Sequence, residues 1–286
     1  MKQLYLDGHF IRQAAAGTGA ACLKSGAGLF ETMRVRHARV YLLERHLERL
    51  YASCPVVGLK APSCRGLAGA VRELIRRNGL RDGALRLVVS TAPAANGVCG
   101  GASRRKTEVC IVERPLPVEI SSKKAPVFSA VLYDKERAGF SGVPCVKTTH
   151  RDFYRRVGLF AASRKADEAF FLNAGFEVVE GSRTNVFCVK QGDVLTPSLE
   201  GGCLPGITRA RVLELLAGMK VRCYETAFGP EWLYGCDEIF VTNALVGVAA
   251  VTRYNGKPVG CGHPGPVTSR LVTVYQNDIE KTCRIR

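Results

Sequence analysis

With 286 residues, 47% of them hydrophobic and 23% charged, the chain has the composition of a folded globular protein with room for two modest domains, which excludes a disordered majority. Its longest apolar runs, such as ALVGVAAV (244–251), fall well short of the ~20 residues that a membrane-spanning helix needs. The formal net charge of +16 comes from Lys and Arg scattered along the chain, with short clusters at Arg104-Arg105-Lys106 and Lys123-Lys124 and little aromatic interleaving; this favours a basic surface that draws in small anions over one that binds nucleic acid.

The opening stretch MKQLYLDGHFIRQ alternates as a hairpin about Asp7-Gly8 and has no hydrophobic signal core, so a cytoplasmic setting is expected. A strand follows (LFETMRVRHARVYLL, 29–43), then a helix from Glu44 to about Ser53 with Leu43, Leu47 and Leu50 on one face. A second helix at 65–78 should stop at Gly79. Strands are expected at ALRLVVSTA (84–92) and TEVCIVE (107–113), with a small-residue loop, 93–103, between them. RPLPVEISSKKAP (114–126) carries three prolines and suits an extended connection, which divides the chain into domains 1–119 and 120–286.

Beyond that point strand and helix alternate. Residues 153–165 have helical spacing, EAFFLN (168–173) reads as a buried strand, and EVVEGSRTNVFCVK (177–190) as two strands about a turn. A helix from Thr208 to Ala217 turns Val212, Leu213 and Leu216 inward, with Gly218 as its stop. EIFVTNALVGVAAV (238–251) is strand-rich, and Pro266 suits the first turn of a closing helix. The twelve cysteines, from Cys22 to Cys283, include no C-x2-C or C-x4-C pair. Several, such as Cys110 and Cys188, sit in apolar strand-like runs, so reduced, buried thiols are expected rather than disulfides or a metal.

The stretch from Glu180 to Thr208 carries the most chemistry. An acidic residue closes a strand and opens a tight turn (VVEGSRTNVF), and LPGITR later starts a helix on a glycine. Gly206, Ile207 and Thr208 would leave backbone N–H groups unpaired at a positive helix end beside a hydroxyl, a place for a phosphate.

Seven segments in order, LFETMRV, HLERL, VKTTHR, ADEAFFLN, VVEGSRTNVF, VLTPSLEGGCLPGITR and CDEIFVTNALVGV, resemble the fold type IV pyridoxal-phosphate enzymes over nearly the whole chain. This is the class IV aminotransferase family, which includes branched-chain and D-amino-acid aminotransferases and aminodeoxychorismate lyases. The resemblance implies an α/β (α+β) fold with a small N-terminal α/β domain, a larger C-terminal domain around a pseudo-barrel sheet, and a homodimer with pyridoxal 5'-phosphate at the domain junction. A small anionic substrate is implied, with no membrane or nucleic-acid partner.

Carried over residue by residue, Lys147 in VKTTHR matches the lysine that bonds to the cofactor's aldehyde. Its flank GVPCV is apolar, which would partly desolvate the amine and lower its pKa. Glu180 matches the carboxylate that keeps the pyridine nitrogen protonated. Arg49 in HLERL matches the arginine on the cofactor phosphate. Its local helix offers no good ion pair, because Arg45 repels it and Glu44 and Glu48 do not face it. Ile207 and Thr208 match the remaining phosphate donors. Phe30, Thr32, Arg151, Asn243 and Ala244 fall at substrate-proximal positions of the same motifs.

Several positions depart from the aminotransferase pattern. Where many members carry Asn and then Tyr after the lysine, this chain has His150 and Arg151, and Ala244 stands near the place of a phosphate-binding Thr. VTNAL and the KTTHR run resemble aminodeoxychorismate lyases instead. The expected reaction is therefore conversion of 4-amino-4-deoxychorismate to 4-aminobenzoate and pyruvate, with transamination of branched-chain L-amino acids or D-amino acids as the alternative.

Overall fold

A computed structural model describes residues 2–13, 28–91, 107–116, 126–138 and 145–284. Loop 93–103, most of 114–126, and Cys22 and Cys99 lie outside the described residues. The chain divides into two compact units: residues 1–116 with 146–150 and 279–286, and residues 117–145 with 151–278.

The first unit opens on the hairpin of β1 (Gln3–Leu6) and β2 (His9–Arg12). Asp7 and Gly8 both take positive φ (48° and 102°), the mirror-image turn that matches the twist of paired strands. Then come β3 (Gly28–Arg36), β4 (Arg39–Val40), helices α1 (Leu43–Val56) and α2 (Cys64–Asn78), β5 (Gly83–Thr91) and β6 (Thr107–Arg114). The strands form one antiparallel sheet in the order β2-β1-β6-β5-β3-β4. In α2, Leu67, Ala70, Val71, Leu74 and Ile75 recur at helical spacing and are buried. They join Leu43, Leu47 and Leu50 of α1 against Met33, Leu85, Leu87 and Ile111 of the sheet. The Ser63 hydroxyl accepts from Gly66 N–H at the start of α2, and Gly79, at φ 59°, ends it as expected.

The second unit is built on nine strands. In chain order they are β7 (Val127–Ala138), β8 (Glu168–Asn173), β9 (Val178–Gly181), β10 (Asn185–Lys190), β11 (Asp193–Thr196), β12 (Cys223–Glu225), β13 (Glu238–Asn243), β14 (Gly247–Tyr254) and β15 (Lys257–Pro258). The helices are α3 (Asp152–Ser163), α4 (Ile207–Gly218), α5 (Glu231–Gly235) and α6 (Pro266–Cys283), whose last residues belong with the first unit. Sheet order is β12-β11-β10-β13-β14-β7-β8-β9, with β15 on β14. Strands β9 and β10 are joined by a three-residue turn although four strands lie between them in that order, so the sheet must curl back on itself. This is the expected barrel-like, mixed α and β domain.

Every residue of β8 is buried because both its faces are covered. Phe170 and Leu172 point into a core with Val186, Ile239 and Val241, while Ala169 and Phe171 pack with Val157 and Ala161 of α3. A strand covered on both sides reads as a continuous apolar run, which is how EAFFLN reads. Strand β7 has no counterpart among the sequence expectations. It pairs in parallel with both β8 and β14, so its place depends on partners distant in the chain. Ten cysteines are free thiols, six of them buried, in line with the reduced reading.

Candidate functional site

In the first unit, the segment carrying Lys147 is fastened to the start of β3. Phe30 N–H donates to the Lys147 carbonyl (2.9 Å), and Thr149 N–H donates to the Gly28 carbonyl (2.8 Å). Gly28 N–H donates in turn to the Thr149 hydroxyl (3.0 Å). A side chain at 28 would collide with β5, since an added Cβ would lie 2.7 Å from the Val89 carbonyl. The Lys147 ammonium sits 4.8 Å from the Phe30 ring centroid and the side chain is half-buried. Backbone pairing therefore fixes where the lysine emerges, and an aromatic face lies beneath its nitrogen. Phe30 is itself capped by the Arg86 guanidinium (4.0 Å). Thr32 is half-buried two residues further along the strand, on the same face.

Arg49 has a buried partner that its own helix does not supply. Its Nε and Nη2 donate to the two carboxylate oxygens of Glu31 on β3 (2.8 and 2.6 Å). The His46 ring nitrogen Nδ1 lies 2.7 Å from the same carboxylate. Glu31 and His46 are almost fully buried. Burial by itself would raise the Glu31 pKa, but Arg49 and then the His46 bond outweigh it and hold the group at about 2. Burial pushes His46 below its ordinary value, so the neutral ring donates through Nδ1. This fork fixes the guanidinium plane.

Glu31 is ionised in the fold well below its unfolded pKa, so its contribution to stability is present above about pH 4.5 and is lost as pH falls toward 2. Glu31→Ala would leave Arg49 and His46 buried without their carboxylate. It should cost about 3–5 kcal/mol in a urea titration and flatten the acid limb of stability over that window.

In the second unit, Glu180 ends β9 and is buried. Its Oε1 accepts from the Tyr154 hydroxyl (3.0 Å), and its Oε2 accepts from Asn185 Nδ2 (3.0 Å) and Leu204 N–H (3.1 Å). The turn that follows is organised by a second buried carboxylate. Glu168 accepts from Ser182 N–H and hydroxyl (2.8 and 2.6 Å) and from the Thr184 hydroxyl (2.8 Å). At Gly181 a Cβ would stand 2.5 Å from Thr184 Oγ1 and 2.7 Å from Glu168 Cδ, so the turn closes only on glycine. Arg151 is placed in this unit: it donates to the Ser182 carbonyl (2.8 Å), and its guanidinium lies 4.1 Å from the Tyr154 ring centroid.

Helix α4 begins one residue earlier than expected, at Ile207, on an N-cap glycine with no capping side chain. Its first-turn N–H groups lack intrahelical partners by geometry, and Thr208 is buried beside them. Asn185 ties this helix start to Glu180, because its Nδ2 also donates to the Leu204 carbonyl (3.0 Å). A Cβ at Gly206 would fall 2.0 Å from Asn185 Oδ1. Gly206→Ala should therefore displace Asn185, destabilise the unit by about 1–3 kcal/mol and weaken cofactor binding, read by thermal unfolding and by fluorescence titration with the cofactor.

Asn243 closes the β13–β14 hairpin through its own side chain, whose Oδ1 accepts from Leu245 N–H (2.9 Å) and Val246 N–H (2.8 Å). Ala244 lies in that turn. Motif reading missed Tyr154, Asn185, Glu31 and His46. Each acts through a partner on another element, and only Glu180 and Asn185 stand close enough along the chain to suggest a local pair.

The donor set suits pyridoxal phosphate. A buried carboxylate with three hydrogen-bond donors favours its ionised form, as a pyridinium partner requires, and an uncapped helix start beside a buried hydroxyl suits a dianion. The amino-transferase class IV family model matches residues 28–254. D-alanine aminotransferase of Bacillus licheniformis is 29% identical over 257 residues, covering 89% of this chain and 88% of that protein. The branched-chain amino acid aminotransferase of the source abbreviated T.th., solved with pyridoxamine 5'-phosphate, superposes with a TM-score of 0.88 at 25% identity, covering 99% of this chain and 95% of the other. A candidate 4-amino-4-deoxychorismate lyase of Legionella pneumophila shares the fold, with a TM-score of 0.78 at 24% identity over 88% and 91% of the two chains. The chain belongs to the class IV aminotransferase family and is an enzyme that uses pyridoxal 5'-phosphate.

Proposed function

We propose that the protein is an aminotransferase acting on branched-chain L-amino acids or D-amino acids. The observation that carries this reading is its end-to-end similarity to aminotransferases, at 29% identity over 89% of the chain in one case and 25% over 99% in another. The lyase reading rests on VTNAL and KTTHR. In the first string Asn243 is occupied in closing a hairpin turn, and in the second Thr149 is occupied in pairing with Gly28, uses that do not select a reaction.

The bound cofactor supplies an electron sink for the bond broken at the substrate's α-carbon. Lys147 is the residue that holds the cofactor's aldehyde and, once displaced by the substrate amine, carries the proton from the α-carbon. Glu180 holds the ring nitrogen in its protonated form. The first-turn N–H groups of Ile207 and Thr208, with the Thr208 hydroxyl, bind the phosphate. Arg49 adds its charge to the same anion, presented on the rigid Glu31 fork. Phe30, Thr32, Arg151, Asn243 and Ala244 stand as the substrate-proximal set, with Arg151 acting through the Ser182 turn it braces. The active enzyme is a homodimer in this reading, which light scattering checks.

Holoenzyme mixed separately with branched-chain L-amino acids, D-alanine and 4-amino-4-deoxychorismate tests the reading. Conversion of the cofactor to its amine form with release of a keto acid in either of the first two supports it and chooses the stereochemistry. Pyruvate and 4-aminobenzoate from the third, with no amine form in the others, would overturn it in favour of the lyase.

A further inference from the structure

Tyr154 lies on the first turn of α3, and no family motif quoted above contains it. Its hydroxyl donates to Glu180 Oε1 at 3.0 Å. The ring is held edge-on by Phe153 (5.9 Å) and Phe171 (5.6 Å) and covered on one face by Arg151 (4.1 Å). The hydroxyl is thus aimed by a packed aromatic cluster. Cys145 Sγ is its other neighbour, at 3.7 Å. Burial raises the proton affinity of the Tyr154 hydroxyl far above its ordinary value, so the group stays a donor at any working pH.

A carboxylate facing a pyridine nitrogen shares one proton with it, and the more basic partner keeps that proton. Each hydrogen bond donated to the carboxylate stabilises its anion and moves the proton toward the nitrogen. Glu180 Oε2 takes its bonds from Asn185 and the Leu204 backbone, groups the fold cannot spare because they also set the turn before α4. Oε1 takes its bond from Tyr154, a hydroxyl that can be removed while the ring remains. We propose that Tyr154 is a positioning residue whose hydrogen bond keeps Glu180 ionised, so that the nitrogen of the bound cofactor holds the proton and the ring withdraws electrons fully. This rests on Glu180 being the ring-nitrogen partner.

The test reconstitutes the holoenzyme with cofactor labelled with nitrogen-15 in the ring and reads the ring resonance in the parent protein, in Tyr154→Phe and in Glu180→Gln. Tyr154→Phe should move the resonance from the protonated toward the unprotonated position and lower kcat roughly tenfold at unchanged KM, the effect expected of one hydrogen bond to a charged group. Incorporation of 3,5-difluorotyrosine at 154, a stronger donor that preserves packing, should move it the other way and keeps the test alive if the phenylalanine variant folds poorly.

In cofactor-free protein, the carboxyl carbon-13 titration of Glu180 should shift to higher pH in Tyr154→Phe. The other titratable groups facing this pair are Cys145, Arg151 and Cys203, and burial and then Glu180 push the Cys203 thiol up to about 12, clear of that titration. If Glu180→Gln moves the ring resonance while both Tyr154 variants leave it in place, the Tyr154 proposal is overturned and the Glu180 assignment stands. If Glu180→Gln leaves it in place as well, the Glu180 assignment itself fails and the proposal falls with it.

Discussion

Lys147→Ala is expected to abolish the visible absorbance of covalently held cofactor and to lower kcat by about four orders of magnitude or more. Two functions are lost at once, the covalent hold on the aldehyde and the group that carries the α-carbon proton, and positioned proton transfer alone accounts for roughly 10²- to 10⁴-fold. The structure gives reasons to expect a clean result. The segment is held by backbone bonds, Phe30 N–H to the Lys147 carbonyl and Thr149 N–H to the Gly28 carbonyl, which alanine leaves intact. The side chain is half-buried against one aromatic ring, so its removal should change stability little. Cofactor should still bind without the covalent link, and a small amine added to the variant should restore part of the rate. A normal visible band in Lys147→Ala would place the reactive amine on another lysine.

Glu180→Gln should lower kcat by roughly 10²- to 10³-fold, the range seen when a preorganised electrostatic partner is removed. The substitution is not isosteric in hydrogen bonding. Three donors converge on the carboxylate, two of them on Oε2. A glutamine must turn its NH2 toward at least one of these donors, which leaves a buried group unsatisfied at a cost of about 1–3 kcal/mol. Loss of rate should therefore come with a lower melting temperature, and the two can be separated by adding saturating cofactor, which recovers stability but not kcat. Full activity in Glu180→Gln would remove Glu180 from the chemistry.

Much of the fold was legible because its elements declare themselves locally. EAFFLN reads as a strand because both its faces are buried, α2 reads as a helix because five apolar residues repeat at helical spacing, and Gly79 marks its end by the left-handed conformation it adopts. Strand β7 stayed silent, since its two neighbours in the sheet, β8 and β14, are joined to it by pairing that local periodicity does not encode. The strings used to separate lyase from aminotransferase, VTNAL and KTTHR, hold residues engaged in a hairpin turn and in a strand pairing. Short motifs mix structural and chemical needs, and only hydrogen-bond partners separate the two.

By itself the sequence determined the family, the cofactor, and the residues offered for it: Lys147, Glu180, Arg49, Ile207 and Thr208. Those are residue types in ordered motifs, and order along a chain is what a sequence preserves. The tertiary structure decided what holds them. Glu31 reaches Arg49 across 18 residues, Tyr154 reaches Glu180 across 26, and Asn185 joins Glu180 to the start of α4 by donating to both Glu180 and Leu204. Such contacts arise because packing brings a strand to a helix and a turn to a helix start, and burial then makes each polar group find a partner. Spacing along the chain carries no trace of that requirement until the fold has been formed.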